Sequence, residues 1–439
     1  MDKIGPSPFS WLEFDAGGSL KDAGAAAAVE AMLNAPEITD FVVLSHGWNN
    51  TKADAMTLYR TLWGNVAGAL THSNPAHIAV AGVVWPAKAF STDFDDAAAV
   101  ASAAGQTLSV GNGGGGGDLD EARFEATIKG VEDLFGANSA PIVSAARDAA
   151  GGIDFNTADA FFQAASAAVT APSGDPELQQ NAAMFKPDAR GVSPEAALGA
   201  LIPPPPMSAA PGLGHVSGLG DTIGAIFNGP RAAVARALNI LTYYEMKTRA
   251  GIVGAALGGR VLPGLHVSAG KRLHLVGHSF GARLVTAAAN ALPAHTPLAL
   301  FSLTLLQGAF SHNGLSAEAS GAFANVIGRP SGPIAITHTH NDHACTYWYA
   351  LASRLSNDAT QGFGDADDVF GAMGANGAQK LAAGTIVHDT VGQAFAPQRG
   401  KVNGFLADGY VVEVPGGTDA HNNVANPTCG KLVAAVLEA

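Results

Sequence analysis

Leu273 to Leu292 read LHLVGHSFGARLVTAAANAL: an apolar β-forming run, a G-x-S-x-G pentapeptide from Gly277 to Gly281, and an apolar helical run. Such a passage predicts a strand that turns sharply into a helix, with Ser279 on the turn. That turn forces the serine backbone into a strained conformation, and a Cβ at either flanking glycine would collide with the neighbouring strand or helix. The expected result is an exposed serine hydroxyl at a helix N-terminus.

Outward from this unit, near-continuous apolar runs recur at Phe41 to Ser45, His77 to Trp85, Leu298 to Gln307, Ile334 to Thr339 and Tyr410 to Val414, with Phe9 to Phe14 as a weaker edge candidate. Buried parallel strands read this way, and Ala-rich helical stretches lie between them. The fold class expected is α/β: a mostly parallel central sheet flanked by helices, with a large, mainly helical, Ala/Gly-rich insertion. Residues 1–90 and 231–439 are read as the two parts of the core, and 91–230 as the insertion, a cap over the strand ends. The run Gly111 to Asp118 and the block Pro203 to Pro206 mark its linkers. Helices are expected over Leu119 to Phe135, Ile142 to Val169 and Ala232 to Leu257.

Composition excludes several functions. Of 439 residues 14% are charged, against about 25% in a typical chain. The net charge of -13 offers no footprint for nucleic acid. No run reaches the length of about 18 apolar residues that a membrane span needs, and the N-terminus lacks a basic start followed by an apolar run, so a cytoplasmic location is expected. Two cysteines, Cys345 and Cys429, are too few for a disulfide framework, although one bridge between them stays open. The run Gly111 to Gly117 is not a phosphate loop, since no Gly-Lys-Ser or Gly-Lys-Thr follows it.

A serine nucleophile needs a base and donors for the oxyanion it forms. The run Phe41 to Ser45 ends in His46-Gly47-Trp48-Asn49-Asn50, a His-Gly turn of the kind that lays a backbone N–H over such a site. The amides of Trp48 and Phe280 are the expected oxyanion donors, and His46, Gly47 and His278 are candidate substrate-lining residues.

Strand, His-Gly-Trp turn, strand ending in Trp-Pro, and strand-GHSFG-helix, in that order, resemble the α/β-hydrolase fold superfamily of serine esterases and lipases. The resemblance covers about residues 38 to 90 and 235 to 439. The stretches YYEMKTRAG and HLVGHSFGARLVTAAA are also similar to a group of uncharacterised bacterial hydrolases. The superfamily's chain order of nucleophile, acid, histidine implies an acid after a later strand and a histidine last. Asp342, just past Ile334 to Thr339, is the expected acid; Asp408 is its rival, and Asp358, Asp365, Asp367, Asp368 and Asp389 lack a clear leading strand. His421, in the loop after the last apolar run, is the expected base, with His388 as the alternative. His338, His340 and His343 beside Asp342 could in principle bind zinc; a structural role is the reading preferred, and no metal or cofactor is expected.

The expected activity is hydrolysis of a carboxylic ester with a hydrophobic acyl or alcohol group, a small-molecule or lipid-like substrate. Phe155, Phe161, Phe162, Phe185 and Phe227 of the insertion are candidates for apolar walls, or for simple packing. An amidase or peptidase with the same triad, and a non-catalytic binding module on the same fold, are the alternatives.

Overall fold

The computed structural model describes residues 2–87, 119–169, 175–202, 229–342, 344–345, 371–389, 395–415 and 418–439. The chain forms two compact units: Met1–Lys88, Met246–Cys345 and Gly371–Ala439 make one, and Ala89–Glu245 with Thr346–Phe370 the other.

The first unit is built on a nine-stranded sheet among the described residues, in the order β1-β2-β4-β3-β5-β6-β7-β9-β8. Its strands are β1 (Asp2–Ile4), β2 (Ser7–Glu13), β3 (Asp40–Ser45), β4 (Ile78–Val84), β5 (Lys271–His278), β6 (Leu298–Leu306), β7 (Ile334–His338), β8 (Ile386–Asp389) and β9 (Val402–Leu406). Only β1 and β2 are antiparallel; every other pairing is parallel. Strands β3 and β4 are buried along their whole length, which is why they read as unbroken apolar runs. From β3 the chain crosses to β4 on one side, and from β5 to β6 on the other. The adjacent C-terminal ends of β3 and β5 therefore flank a topological switch point, where open α/β sheets form their ligand crevice.

Helices Lys52–Ala69 and Pro427–Glu438 share a core with one sheet face, Tyr59, Trp63, Val66, Leu432, Val433 and Val436 packing with Val42, Leu44 and Val80. Helix Phe280–Ala291 follows β5, and the C-terminal half of helix Pro230–Ala256, with the helical turn Leu257–Val261 after it, lies so close to it that glycine is required. A Cβ at Gly254 would stand 2.1 Å from the Leu284 carbonyl oxygen, and one at Gly258 2.0 Å from that of Ala288.

Two sequence expectations fail at opposite ends of the sheet. Tyr410 to Val414 is not a strand: the amides of Tyr410 and Val411 both turn back to the Ala407 carbonyl, and Val412 and Val414 are 37% and 45% exposed. The strand beside β7 is β9, whose VNGFL sequence hides it. Its Asn403 is buried because its amide donates to the carbonyls of Ile334, Gln398 and Lys401, and a Cβ at Gly404 would come within 3.1 Å of His388 Nδ1. The Phe9 to Phe14 run is also not an edge, since β1 pairs outside it.

The second unit is helical where described, with Glu121–Phe135, Ala140–Gly151, Phe155–Ala168, Pro176–Ala183, Pro194–Gly199 and the N-terminal part of Pro230–Ala256. The helix expected over Ile142 to Val169 is two, divided at Gly152 and restarted by a capping box between Asp154 and Thr157. Phe161 and Phe162 are buried edge-to-face at 5.6 Å, Phe185 packs on Tyr244 at 6.4 Å, and Phe155 is exposed. Gly111 to Asp118, Pro203 to Pro206 and Phe227 lie outside the described residues. No helix among the described residues is long and apolar enough to cross a membrane.

Candidate active site

Ser279 stands between β5 and helix Phe280–Ala291 with φ 58 and ψ -123, a conformation that side chains rarely adopt. The surrounding chain enforces it. The Ser279 amide donates to the Leu306 carbonyl at 3.0 Å, and the Ser279 carbonyl accepts from Ala309 at 3.1 Å. A Cβ at Gly277 would meet the Gly281 carbonyl oxygen at 2.2 Å, one at Gly281 the Ser45 carbonyl oxygen at 2.3 Å, and one at Gly47 the Ser279 Cβ at 2.6 Å. All three glycines thus let backbone approach backbone, or the serine itself, where no side chain fits.

His421 reaches this turn from the loop before helix Pro427–Glu438. Its Nε2 is 2.8 Å from Ser279 Oγ, and its Nδ1 is 2.9 Å from Asp342 Oδ2. An ionised carboxylate only accepts, so Nδ1 carries the proton and Nε2 presents a lone pair to the serine hydroxyl. Burial by itself would lower the His421 pKa, but the charge and hydrogen bond of Asp342 outweigh it, and the pKa is raised. Burial would likewise raise Asp342, and the opposing charge and hydrogen bond of His421, with the Cys345 amide, bring it below its ordinary value instead.

Asp342 is fully buried, so its donors matter. Oδ1 accepts from the Cys345 amide at 2.9 Å, and Oδ2 accepts from Gln307 Nε2 at 3.2 Å as well as from His421. Gln307 is a residue that sequence reading passes over for lack of a carboxylate. It follows β6 directly, in a left-handed conformation with φ 47, and its Nε2 also donates to the Gly374 carbonyl at 3.0 Å. Its place at a strand end beside β5 is the signal that could have found it.

His278 and His46, candidate lining residues, are buried supports. The Nε2–H of His278 donates to the main-chain oxygen of His421 at 2.9 Å, and burial, then the neighbouring His421, pushes its pKa down to about 3. His46 stacks on Trp85 with ring centres 5.7 Å apart and donates from Nδ1 to the Gly47 carbonyl at 2.8 Å. Burial holds its pKa at about 4. Gly47 is buried beneath Ser279. Trp48 follows in the turn after β3, its ring 6.2 Å from that of Phe280, whose amide opens the helix after Ser279 at its positive end. Asn50 Nδ2 ties back the carbonyls of Gly47 and Trp48.

The chain has no match among known protein families, curated proteins or solved structures.

The rivals fall elsewhere. Asp408 accepts from Thr339 Oγ1 at 2.7 Å, the His340 amide at 2.9 Å and His340 Nδ1 at 2.8 Å, so it pins the loop that carries Asp342. His388 is an exposed residue of β8, and Asp389 ends that strand. Asp358, Asp365, Asp367, Asp368 and His343 lie outside the described residues. His338 and His340 do not converge on a metal position, since His340 turns out to Asp408 while His338 is largely buried, its pKa held at about 4 first by that burial. Among the described residues, the His, Cys and carboxylate groups close enough to share an ion are Asp342, Cys345 and His421.

Proposed function

We propose that the chain is a serine hydrolase of the α/β-hydrolase type that cleaves carboxylic esters through an acyl-enzyme. The observation that carries this reading is the 2.8 Å contact from His421 Nε2 to Ser279 Oγ, made to a serine held at φ 58 on the turn after the central strand. A left-handed serine is costly unless the fold maintains it, and such strain collects at functional sites. The order of the groups along the chain, nucleophile, acid, then histidine, is the superfamily's order.

In the cycle that follows, His421 takes the Ser279 proton as Oγ attacks the ester carbonyl. Asp342 keeps the imidazole in the required tautomer and stabilises the imidazolium. The amides of Trp48 and Phe280 receive the oxyanion. His421 then protonates the leaving alcohol, and water, activated by the same histidine, releases the acid. Nothing in these steps calls for a cofactor.

The preference for an apolar acyl or alcohol group rests on composition, with only 14% of residues charged; Phe161, Phe162 and Phe185 pack within the helical unit. A net charge of -13 disfavours nucleic acid as a partner. Two unpaired buried cysteines fit a cytoplasmic location.

A fluorophosphonate probe tests the reading: it should label the protein, and Ser279→Ala should abolish both labelling and hydrolysis of p-nitrophenyl esters. An unlabelled, inactive parent would favour a binding module. Faster turnover of a matched anilide than of its ester would favour an amidase.

A further inference from the structure

The Cys345 thiol supplies a sulfur ligand atom beside the triad that the proposed cycle leaves unused. It is 2% exposed and in no disulfide. Its Sγ stands 3.8 Å from His421 Nδ1, which is itself 2.9 Å from Asp342 Oδ2. A sulfur, an imidazole nitrogen and a carboxylate oxygen thus lie within 4.8 Å of one another.

Tetrahedral zinc, with bonds of about 2.3 Å to sulfur and about 2.0 Å to nitrogen and oxygen, puts sulfur and nitrogen about 3.5 Å apart and nitrogen and oxygen about 3.3 Å apart. The sulfur–nitrogen distance of 3.8 Å is about 0.3 Å too long and the nitrogen–oxygen distance of 2.9 Å about 0.4 Å too short, so an ion enters as the thiol swings in and the carboxylate draws back. The donor set also selects the ion: a thiolate and an imidazole favour Zn2+ or Cd2+ over Mg2+ or Ca2+. A divalent cation with one thiolate and one carboxylate is neutral overall, the charge state a buried position tolerates.

We propose that Asp342, Cys345 and His421 form an inhibitory site for a thiophilic divalent cation, Zn2+ or Cd2+, whose occupation is incompatible with the working triad. The Cys345 thiol loses its proton to solvent as the sulfur–metal bond forms. The proton on His421 Nδ1 passes to Nε2 as Nδ1 takes the metal, and no electron is transferred. Nε2 then donates to Ser279 Oγ where it previously accepted, so the serine has no base. The effect on turnover rests on the proposed hydrolase, whereas binding itself does not.

The test uses the full chain with cadmium as probe. Cd2+ added to Ser279→Ala should raise the ultraviolet thiolate-to-metal charge-transfer band. Cys345→Ser should lose that band and Cys429→Ser should keep it. No band, or a band that survives Cys345→Ser, overturns the site. With active protein, Zn2+ but not Mg2+ should suppress ester hydrolysis, and a chelator should restore it. Relative to its own metal-free rate, Cys345→Ser should need roughly tenfold or more Zn2+ for the same inhibition. Hydrolysis indifferent to Zn2+ overturns the inference and leaves the hydrolase standing. A Cys345-dependent band in a protein without hydrolysis does the reverse.

Discussion

His278 holds the backbone of His421: across 2.9 Å its Nε2–H meets the main-chain oxygen of the residue whose side chain faces Ser279. The residue just before Ser279 therefore sets where the proposed base sits. Removing this buried hydrogen bond costs about 1 to 3 kcal/mol. His278→Leu should lower kcat by about 10- to 100-fold with little change in KM, and His278→Gln, which keeps an N–H at the tip, should recover part of it. Because His278 stays neutral down to about pH 3, neither variant should gain or lose an ionisation in the pH profile; steady-state kinetics against pH checks both points.

In the proposed cycle His421 accepts a proton only when neutral, and its pKa lies above the ordinary 6.5 because the Asp342 charge and hydrogen bond outweigh the opposing burial. Accordingly kcat/KM should fall as pH drops through a value above 6.5. Asp342→Asn should lower kcat by about 10,000-fold and move the remaining acid limb to lower pH, burial then being opposed only by the weaker charge effect of Asp419. The same pair affects stability with opposite signs. The His421 contribution is complete below about pH 6.5 and is lost as pH rises through the raised folded value. The Asp342 contribution is present above about pH 3.9 and is lost as pH falls through its lowered value. Rate and denaturation measured across pH separate the two effects.

Gln307→Leu should leave Asp342 Oδ2 with one donor fewer and destabilise the fold by about 1 to 3 kcal/mol, read by urea denaturation. Gln307→Glu places a second carboxyl within hydrogen-bond reach of Asp342, so the two should share a proton near neutral pH. Its activity should fall more than that of Gln307→Leu, a ranking that simple loss of packing would not produce.

The sheet contains a second Ser-His-Asp array, with His274 Nδ1 2.8 Å from Ser302 Oγ and Nε2 2.9 Å from Asp40 Oδ1. His274 and Ser302 are both fully buried, and Asp40, with Arg272 beside it at 2.6 Å, opens β3 at the end away from Ser279. It should be structural. Ser302→Ala should leave fluorophosphonate labelling intact, and Asp40→Asn should cost about 3 to 5 kcal/mol in denaturation while preserving kcat in the folded fraction. Burial would raise the Asp40 pKa, but His274, Arg272 and Thr39 hold it at about 2, so its contribution should persist until pH falls from about 4 toward that value.

Residues whose burial follows from their own polarity were legible in the sequence. The apolar runs at β3, β4, β5, β6 and β7 announced themselves, and Ser279, between two glycines and between strand and helix, could sit only on a tight turn. Asp342 and His421 followed from chain order, and the structure brings both within hydrogen-bond distance of their partners. What stayed hidden is burial achieved through partners far along the chain. Asn403 enters β9 only because three carbonyls receive it, and Gln307 turns inward only because Asp342 and Gly374 accept from it. Val412 and Val414 mislead for the converse reason: they are apolar, yet they stay 37% and 45% exposed.

The contact between Ser279 and His421 spans 142 positions of the chain, and that between His421 and Asp342 spans 79. Ser279 and His421 thus meet only when the segment after β9 has docked across a sheet in which β6, β7 and β9 follow β5. A growing or refolding chain would carry a finished serine turn and an inert serine until that last event, so activity should emerge late in folding, after most of the sheet has formed. In mild denaturant, release of the same segment should silence the site while the strands remain paired.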